Sequence, residues 1–290
     1  MAGRKPFDVI LMFKMMVLQS LYNLSDDQTE QQVLDRLSFM RFLGLELGDA
    51  VPDAKTIWLF RERLKDAGLV ETIFEKFNAF LTQHGFAAQK GQIVDASIVS
   101  VPKQRNRRDE NEKIKQGDAP DDWSEAKRRQ KDVDARWTKK RGVTYYGYKN
   151  HISVDVKHKF VRSYTVTDAA VHDSQVFEEL LDESNTSRDV WADSAYRSEE
   201  KRQSLKAAGF REHLQRKGYR NRPLTDWEQR GNRTRARIRS RVEHVFGIQA
   251  KRAGYGIVHA VGLVRASVKI GLRNLAYNLD RYAGLAQAAT

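Results

Sequence analysis

The hydrophobic period of this chain changes at Gly91, and that change limits what it can fold into more than any other feature. Before it, across residues 7–85, apolar residues recur at helical spacing. After it, Ile93, Val94, Ile98, Val99 and Val101 form a β-branched run that reads as a buried strand. Two periods predict two parts: an all-helical domain over residues 1–88 and an α/β domain over residues 89–290.

In the first part, residues 7–24 read as one helix, and Ser25 with Gln28 forms a capping-box signature for a second. That second helix is expected to carry Val33, Leu34, Leu37, Met40 and Leu43 on one side. Pro52 and Asp53 open a third helix, containing Thr56, Trp58, Arg61 and Lys65 and ended by Gly68, and a fourth covers residues 70–84. Short helices in series with a basic third member fit a helix-turn-helix-like DNA-binding unit, in which Thr56, Arg61 and Lys65 would touch DNA. They fit a small bundle that packs only on the rest of the chain equally well.

Residues 102–142 have few apolar anchors and mixed charge, 14 basic residues against 9 acidic ones, and are expected to be a surface insertion or a disordered arm. Strand patterns return at residues 145–154 and 160–167. Asp173 is expected to cap a helix reaching residue 181. A strand at 189–192, a helix at 198–208, a strand at 212–215 and long helices at 234–251 and 261–282 complete the order. That order predicts a mixed sheet flanked by helices.

Three carboxylates stand out against this pattern. Asp95 interrupts an apolar strand, where a charge is costly unless paired or metal-bound. Asp193 follows the strand ending Val190-Trp191-Ala192, and Glu243 flanks the apolar helix face of Ile238, Val242, Val245 and Phe246. Carboxylates on two neighbouring strands and a packed helix can converge on magnesium or manganese rather than zinc. Two such ions suit in-line displacement at phosphorus. Taken singly, each residue also reads as an ion-pair or turn residue.

The charge balance points to a polyanionic partner. The formal net charge is +13, and residues 197–252 hold 17 Lys or Arg against 6 Asp or Glu. Arg233, Arg235, Arg237, Arg239 and Arg241 alternate along the helix of Glu243, making stripes 233/237/241 and 235/239 expected to hold DNA phosphates. Tyr196 is a candidate for stacking on an unpaired base. The absence of cysteine excludes disulfides, thiolate zinc sites and cysteine nucleophiles. The apolar run at 9–21 is too short to span a bilayer, carries Lys14 and precedes no small-residue cleavage site, so a cytoplasmic protein without a membrane is expected.

At these carboxylates the sequence resembles the bacterial insertion-sequence transposases, in the branch called the insertion-sequence-five family. The resembling segments are Val94-Asp95-Ala96-Ser97, Tyr146-Gly147-Tyr148-Lys149-Asn150-His151, Val171-His172-Asp173-Ser174 and Ala192-Asp193-Ser194-Ala195-Tyr196. The last is Arg239-Ser240-Arg241-Val242-Glu243-His244-Val245-Phe246, and residues 52–64 are similar to the family's N-terminal domain. The late helix departs from the family signature: Ala236 stands at the tyrosine position, and Lys251 lies one place beyond the usual lysine.

The resemblance implies an RNase H-like fold in which Asp95, Asp193 and Glu243 form the triad holding two magnesium or manganese ions. Lys149, His151 and Lys251 join the candidate DNA contacts. The function it implies is a DNA transposase that cleaves transposon ends and transfers the 3′-hydroxyl strand to target DNA. Its partner would be double-stranded DNA, both terminal inverted repeats and target, and working on two ends implies a homodimer. The rival readings are a nuclease of the same fold that only hydrolyses and a catalytically inert DNA-binding protein.

Overall fold

Side-chain caps set where the helices begin. Asp8, Ser25 and Asp53 each accept a backbone N–H of the following turn and start α1 (Val9–Tyr22), α2 (Asp26–Asp35) and α4 (Ala54–Asp66). Ser25 and Gln28 form the full capping box. The computed structural model describes residues 5–140, 142–252 and 257–288.

The expected second helix is two helices. Arg36 takes an extended conformation (φ −108°, ψ 110°) and separates α2 from α3 (Leu37–Leu43). The break turns Phe39, Met40 and Leu43 inward beside Val33 and leaves Leu34 and Leu37 exposed. With α5 (Leu69–Gln83), these helices close a core of Met12, Met15, Met16, Val33, Phe39, Ile57 and Leu64. Leu272, from the far end of the chain, completes it.

Gly91 starts the sheet. Its φ of 84° suits glycine, and a Cβ there would meet the Asp189 carbonyl oxygen at 2.5 Å, so only glycine lets the two strands approach. β1 (Gln92–Ser100) runs antiparallel to β3 (Val143–Asp155), with Asp95 opposite Ile152. β3 is antiparallel to β4 (Val161–Asp168) and, in its first half, to β2 (Arg136–Lys140). β5 (Asp189–Ala192) lies parallel to β1, and β6 (Arg211–Leu214) parallel to β5. Antiparallel strands followed by parallel ones, with helices on both faces, form the expected RNase H-like mixed sheet behind a helical region.

One face carries Ile93, Ile152, Val154 and Val161 against Val242 and Val245 of α9 (Asp226–Arg252) and Leu275 and Tyr277 of α10 (Leu263–Gln287). The other packs Val94, Val190 and Leu214 on Leu205 of α8 (Glu199–Ala207), with Phe177, Leu180 and Tyr196. No helix among the described residues is long and apolar enough to cross a membrane.

Two local expectations need correction. Residues 102–140 are not a bare arm: they contain α6 (Arg108–Gln116), α7 (Glu125–Gln130) and β2. Their anchor is polar, which hydrophobic periodicity cannot register. Buried Glu110 accepts from Trp123 Nε1 at 2.8 Å, Lys127 Nζ at 2.6 Å and the Arg107 N–H at 2.7 Å. Between β4 and β5 there is no α-helix but two 3₁₀ turns, Asp173–Val176, capped by His172, and Glu178–Leu180. Asp173 is diverted to an ion pair with Lys149 at 2.7 Å.

Candidate active site

Strand parity aims Asp95 at α9. It shares its sheet face with Ile93, which packs beneath Val242 and Val245, so its carboxylate emerges beside the helix's next turn. There Arg239 Nη1 donates to Asp95 Oδ2 at 2.6 Å while Nη2 donates to Glu243 Oε1 at 3.0 Å. The i,i+4 spacing of Arg239 and Glu243 makes this double contact possible. Asp193 follows β5, the strand beside β1, and its Oδ1 accepts the Ala195 N–H at 2.7 Å, capping the 3₁₀ turn Ser194–Tyr196.

Burial dominates the electrostatics of Asp95. Its side chain is 12% exposed, and burial raises its pKa to about 6 against the pull of Arg239. The Asp193 carboxylate pushes it the same way, while Lys140, at the end of β2, opposes. Glu243 is the open member, its side chain 61% exposed.

Among the described residues, no three His, Cys, Asp or Glu side chains gather closely enough to hold one metal ion. The Arg239 guanidinium stands at the junction instead and binds two of the three carboxylates. The acceptors here are carboxylate oxygens, the donor type that hard divalent ions take, and a cation, Arg239, bridges Asp95 and Glu243.

Several candidate DNA contacts are turned inward, and these expectations are corrected. Arg61 is 6% exposed and donates to both oxygens of Asp26, at 2.6 and 2.8 Å, and to Gln19 at 2.8 Å. Lys65 is held by Glu62 at 2.6 Å and by Asp66 at 3.1 Å. Thr56 is half-buried in the first turn of α4, and the exposed basic residues of that helix are Lys55 and Arg63. A helix-period pattern gives two candidate faces, and the buried one here is partly ionic.

Lys149 is bound to Asp173 and to the Val171 carbonyl oxygen at 2.6 Å. His151 is fully buried with Nε2 against Thr167 Oγ1 at 2.9 Å, and burial lowers its pKa to about 4. Tyr196 is also fully buried, tilted against Phe177, so it cannot stack on a base. Its hydroxyl has no hydrogen-bond partner among the described residues, and burial pushes its pKa well up, helped by Asp95, Asp173 and Asp193.

The arginine run divides by face. Arg239 meets the carboxylates, Arg241 donates to the Val156 carbonyl oxygen at 2.8 Å, and Arg235 is half-buried with burial lowering its pKa. Arg233, Arg237 and Lys251 are exposed.

Sequence reasoning missed two members of this neighbourhood. Lys140 sits in the mixed-charge segment, where nothing marks it from its neighbours. Asp173 lies in one of the resembling segments but reads as a helix cap; its partner, Lys149, lies in another of them, on β3.

The sequence matches the family described as Transposase DDE domain over residues 87–279. It matches the family described as Transposase domain (DUF772) over residues 1–63. Among solved structures it is similar to a piggyBac transposase synaptic complex with hairpin DNA, at 10% identity and a TM-score of 0.48. That similarity covers 99% of this chain and 69% of the other.

Proposed function

The chain belongs to the transposase DDE domain family and is a DNA transposase, and from that premise we propose that Asp95, Asp193 and Glu243 are its catalytic carboxylates. The reading includes cleavage at transposon ends, transfer of the 3′-hydroxyl strand to target DNA, and two magnesium or manganese ions held by the three side chains. The resembling segments support a place in the bacterial insertion-sequence-five branch. Work on two terminal inverted repeats supports a homodimer in the active complex.

One observation carries this reading: Arg239 spans Asp95 and Glu243, the two carboxylates that the sheet and α9 bring to one edge. Divalent ions bound there would supply activation of the attacking oxygen and charge stabilisation at the leaving one. The protein's own part is positioning. Asp95 lies on β1 and Asp193 directly follows β5, the parallel strand beside it, so the backbone brings the two carboxylates to the same end of the sheet. Glu243, on the solvent side, closes the set after DNA arrives. Arg239, released from its carboxylates, has a planar fork that matches the scissile phosphate. Lys140 and the exposed Arg233 and Arg237 add positive charge along the DNA path.

The test is cleavage of end DNA by Asp95→Asn, Asp193→Asn and Glu243→Gln. Each variant should lose at least about a hundredfold in cleavage rate while keeping most of its affinity for end DNA. Normal cleavage by any one of them removes that residue from the site. Strand-transfer product from donor and target DNA separates transposition from simple hydrolysis.

A further inference from the structure

A large cavity lies away from the carboxylates. It measures about 1150 Å³ and opens between α1, α2, α4 and α10, with residues 257–261 along one side. The Val258 N–H donates to the Ser100 carbonyl oxygen at 3.0 Å, so this side is tied to the end of β1. Ser100 lies five residues beyond Asp95 on that strand, roughly 17 Å at the usual rise.

One wall is a column of cations on α10: Arg265, Lys269 and Arg273, spaced one turn apart on one face. Among the described residues, only the first of them is bound to a carboxylate. Arg265 is taken by Glu62 at 2.8 Å, and Glu62 also holds Lys65. Asp26 is taken by Arg61. Lys269 donates to the His259 carbonyl oxygen at 2.8 Å, and Arg273 to Asn23 Oδ1 at 2.8 Å. Neither forms an ion pair among the described residues. Burial, with Arg61 and Arg273 nearby, lowers the Lys269 pKa to about 8 against the pull of Asp26. Two unpaired cations in one partly buried wall are costly until an anion arrives.

The rest of the lining narrows the choice of anion. Trp58 stands at the cavity with 44% of its surface exposed, beside Ile257 at 41% and Leu24. A cavity of this size is near the upper end of small-ligand pockets and too small for a duplex. Phosphate-seeking cations beside an open aromatic are how proteins hold single strands without reading sequence.

We propose that this cavity binds a single DNA strand, with Lys269 and Arg273 on its phosphates and Trp58 on a base. The strand is the unpaired segment adjoining the cut made at Asp95, a placement that rests on the function proposed above. The cavity gives that segment a seat at the end of β1 while the carboxylates keep the cut phosphate.

The experiment measures binding of a fluorescein-labelled hexathymidylate to the full chain by anisotropy across a salt series. Lys269→Gln and Trp58→Ala should each weaken binding about fivefold or more, and Lys269→Gln should lower the salt slope by about 0.7. Lys269→Arg should stay near wild type. Duplex end binding should remain within about twofold in all three variants, and their unfolding temperatures should stay close to wild type. Trp58 is exposed, so Trp58→Ala tests the cavity even if Lys269→Gln folds poorly. Unchanged hexathymidylate affinity in Trp58→Ala and Lys269→Gln overturns the inference. So does full competition by inorganic phosphate at equal charge, which would make this a free-phosphate site. Loss of cleavage in wild type would sink the catalytic reading instead, and leaves the binding result standing.

Discussion

Asp95 shows how one residue records both fold and chemistry. Its carboxylate has a pKa of about 6 in the folded chain against an ordinary value of 3.8, because burial outweighs the pull of Arg239. A pKa raised by folding means the native state binds the proton more tightly than the unfolded chain does. The stability tied to this proton is therefore complete below about pH 4 and is lost as pH rises through 6, on the order of 2–3 kcal/mol. In EDTA, Asp95→Asn should unfold at a higher temperature than wild type at pH 7.5, and at nearly the same temperature at pH 4. Equal unfolding temperatures at both values would mean that Arg239 fully offsets the burial. The position of Asp95 was legible because a charge inside a β-branched run has few explanations. The burial of Tyr196 and His151 was not, since a polar ring on a strand or turn looks the same in sequence whether it faces DNA or packs inward.

Helix α9 carries the next level of the argument, since its faces do different work. Val242 and Val245 hold it to the sheet, Arg239 and Glu243 face the carboxylate edge, and Arg233 and Arg237 face solvent. Arg239→Ala should therefore slow single-turnover cleavage by about a hundredfold with little change in DNA affinity. Arg233→Ala and Arg237→Ala should each lower the salt slope of binding by about one unit, evenly across DNA sequences, with the cleavage step intact. Unaltered slopes for both would leave the run as a solvated face. The apolar face of α9 and the caps at Ser25 and Asp53 were readable, because each rests on residue type at fixed spacing. The break at Arg36 and the Glu110-anchored segment were not. The first depends on one backbone torsion, and the second on hydrogen bonds between residues 13 and 17 apart.

At the scale of the whole molecule, α10 joins the two parts that the change of period at Gly91 predicts. We propose the division at residues 88 and 89 as one of sequence pattern more than of independent cores. Leu272 sits in the helical core, while Leu275 and Tyr277, barely a turn later, sit against the sheet. Asn274 and Asn278 pin the same helix to the strands, through Asn150 at 2.9 Å and through the Val161 N–H at 2.9 Å. Just before these anchors Gly271 lets α10 pass Val70 of α5 and Tyr164 of β4. A Cβ there would meet the Tyr164 hydroxyl head-on and Val70 Cγ1 at 2.9 Å. A glycine inside a helix costs about 1 kcal/mol relative to alanine, so Gly271→Ala would stabilise the chain if there were room. The close contact predicts the reverse, a net loss of about 1–2 kcal/mol from overpacking. The Tyr164 hydroxyl is buried without a hydrogen-bond partner among the described residues, so removing it should be neutral or favourable. Tyr164→Phe should therefore leave the wild-type background intact and rescue most of the Gly271→Ala loss. A double-mutant cycle by thermal unfolding measures this directly. A coupling close to zero would place the strain on Val70, and with it the tighter side of the joint on α5 rather than on the sheet.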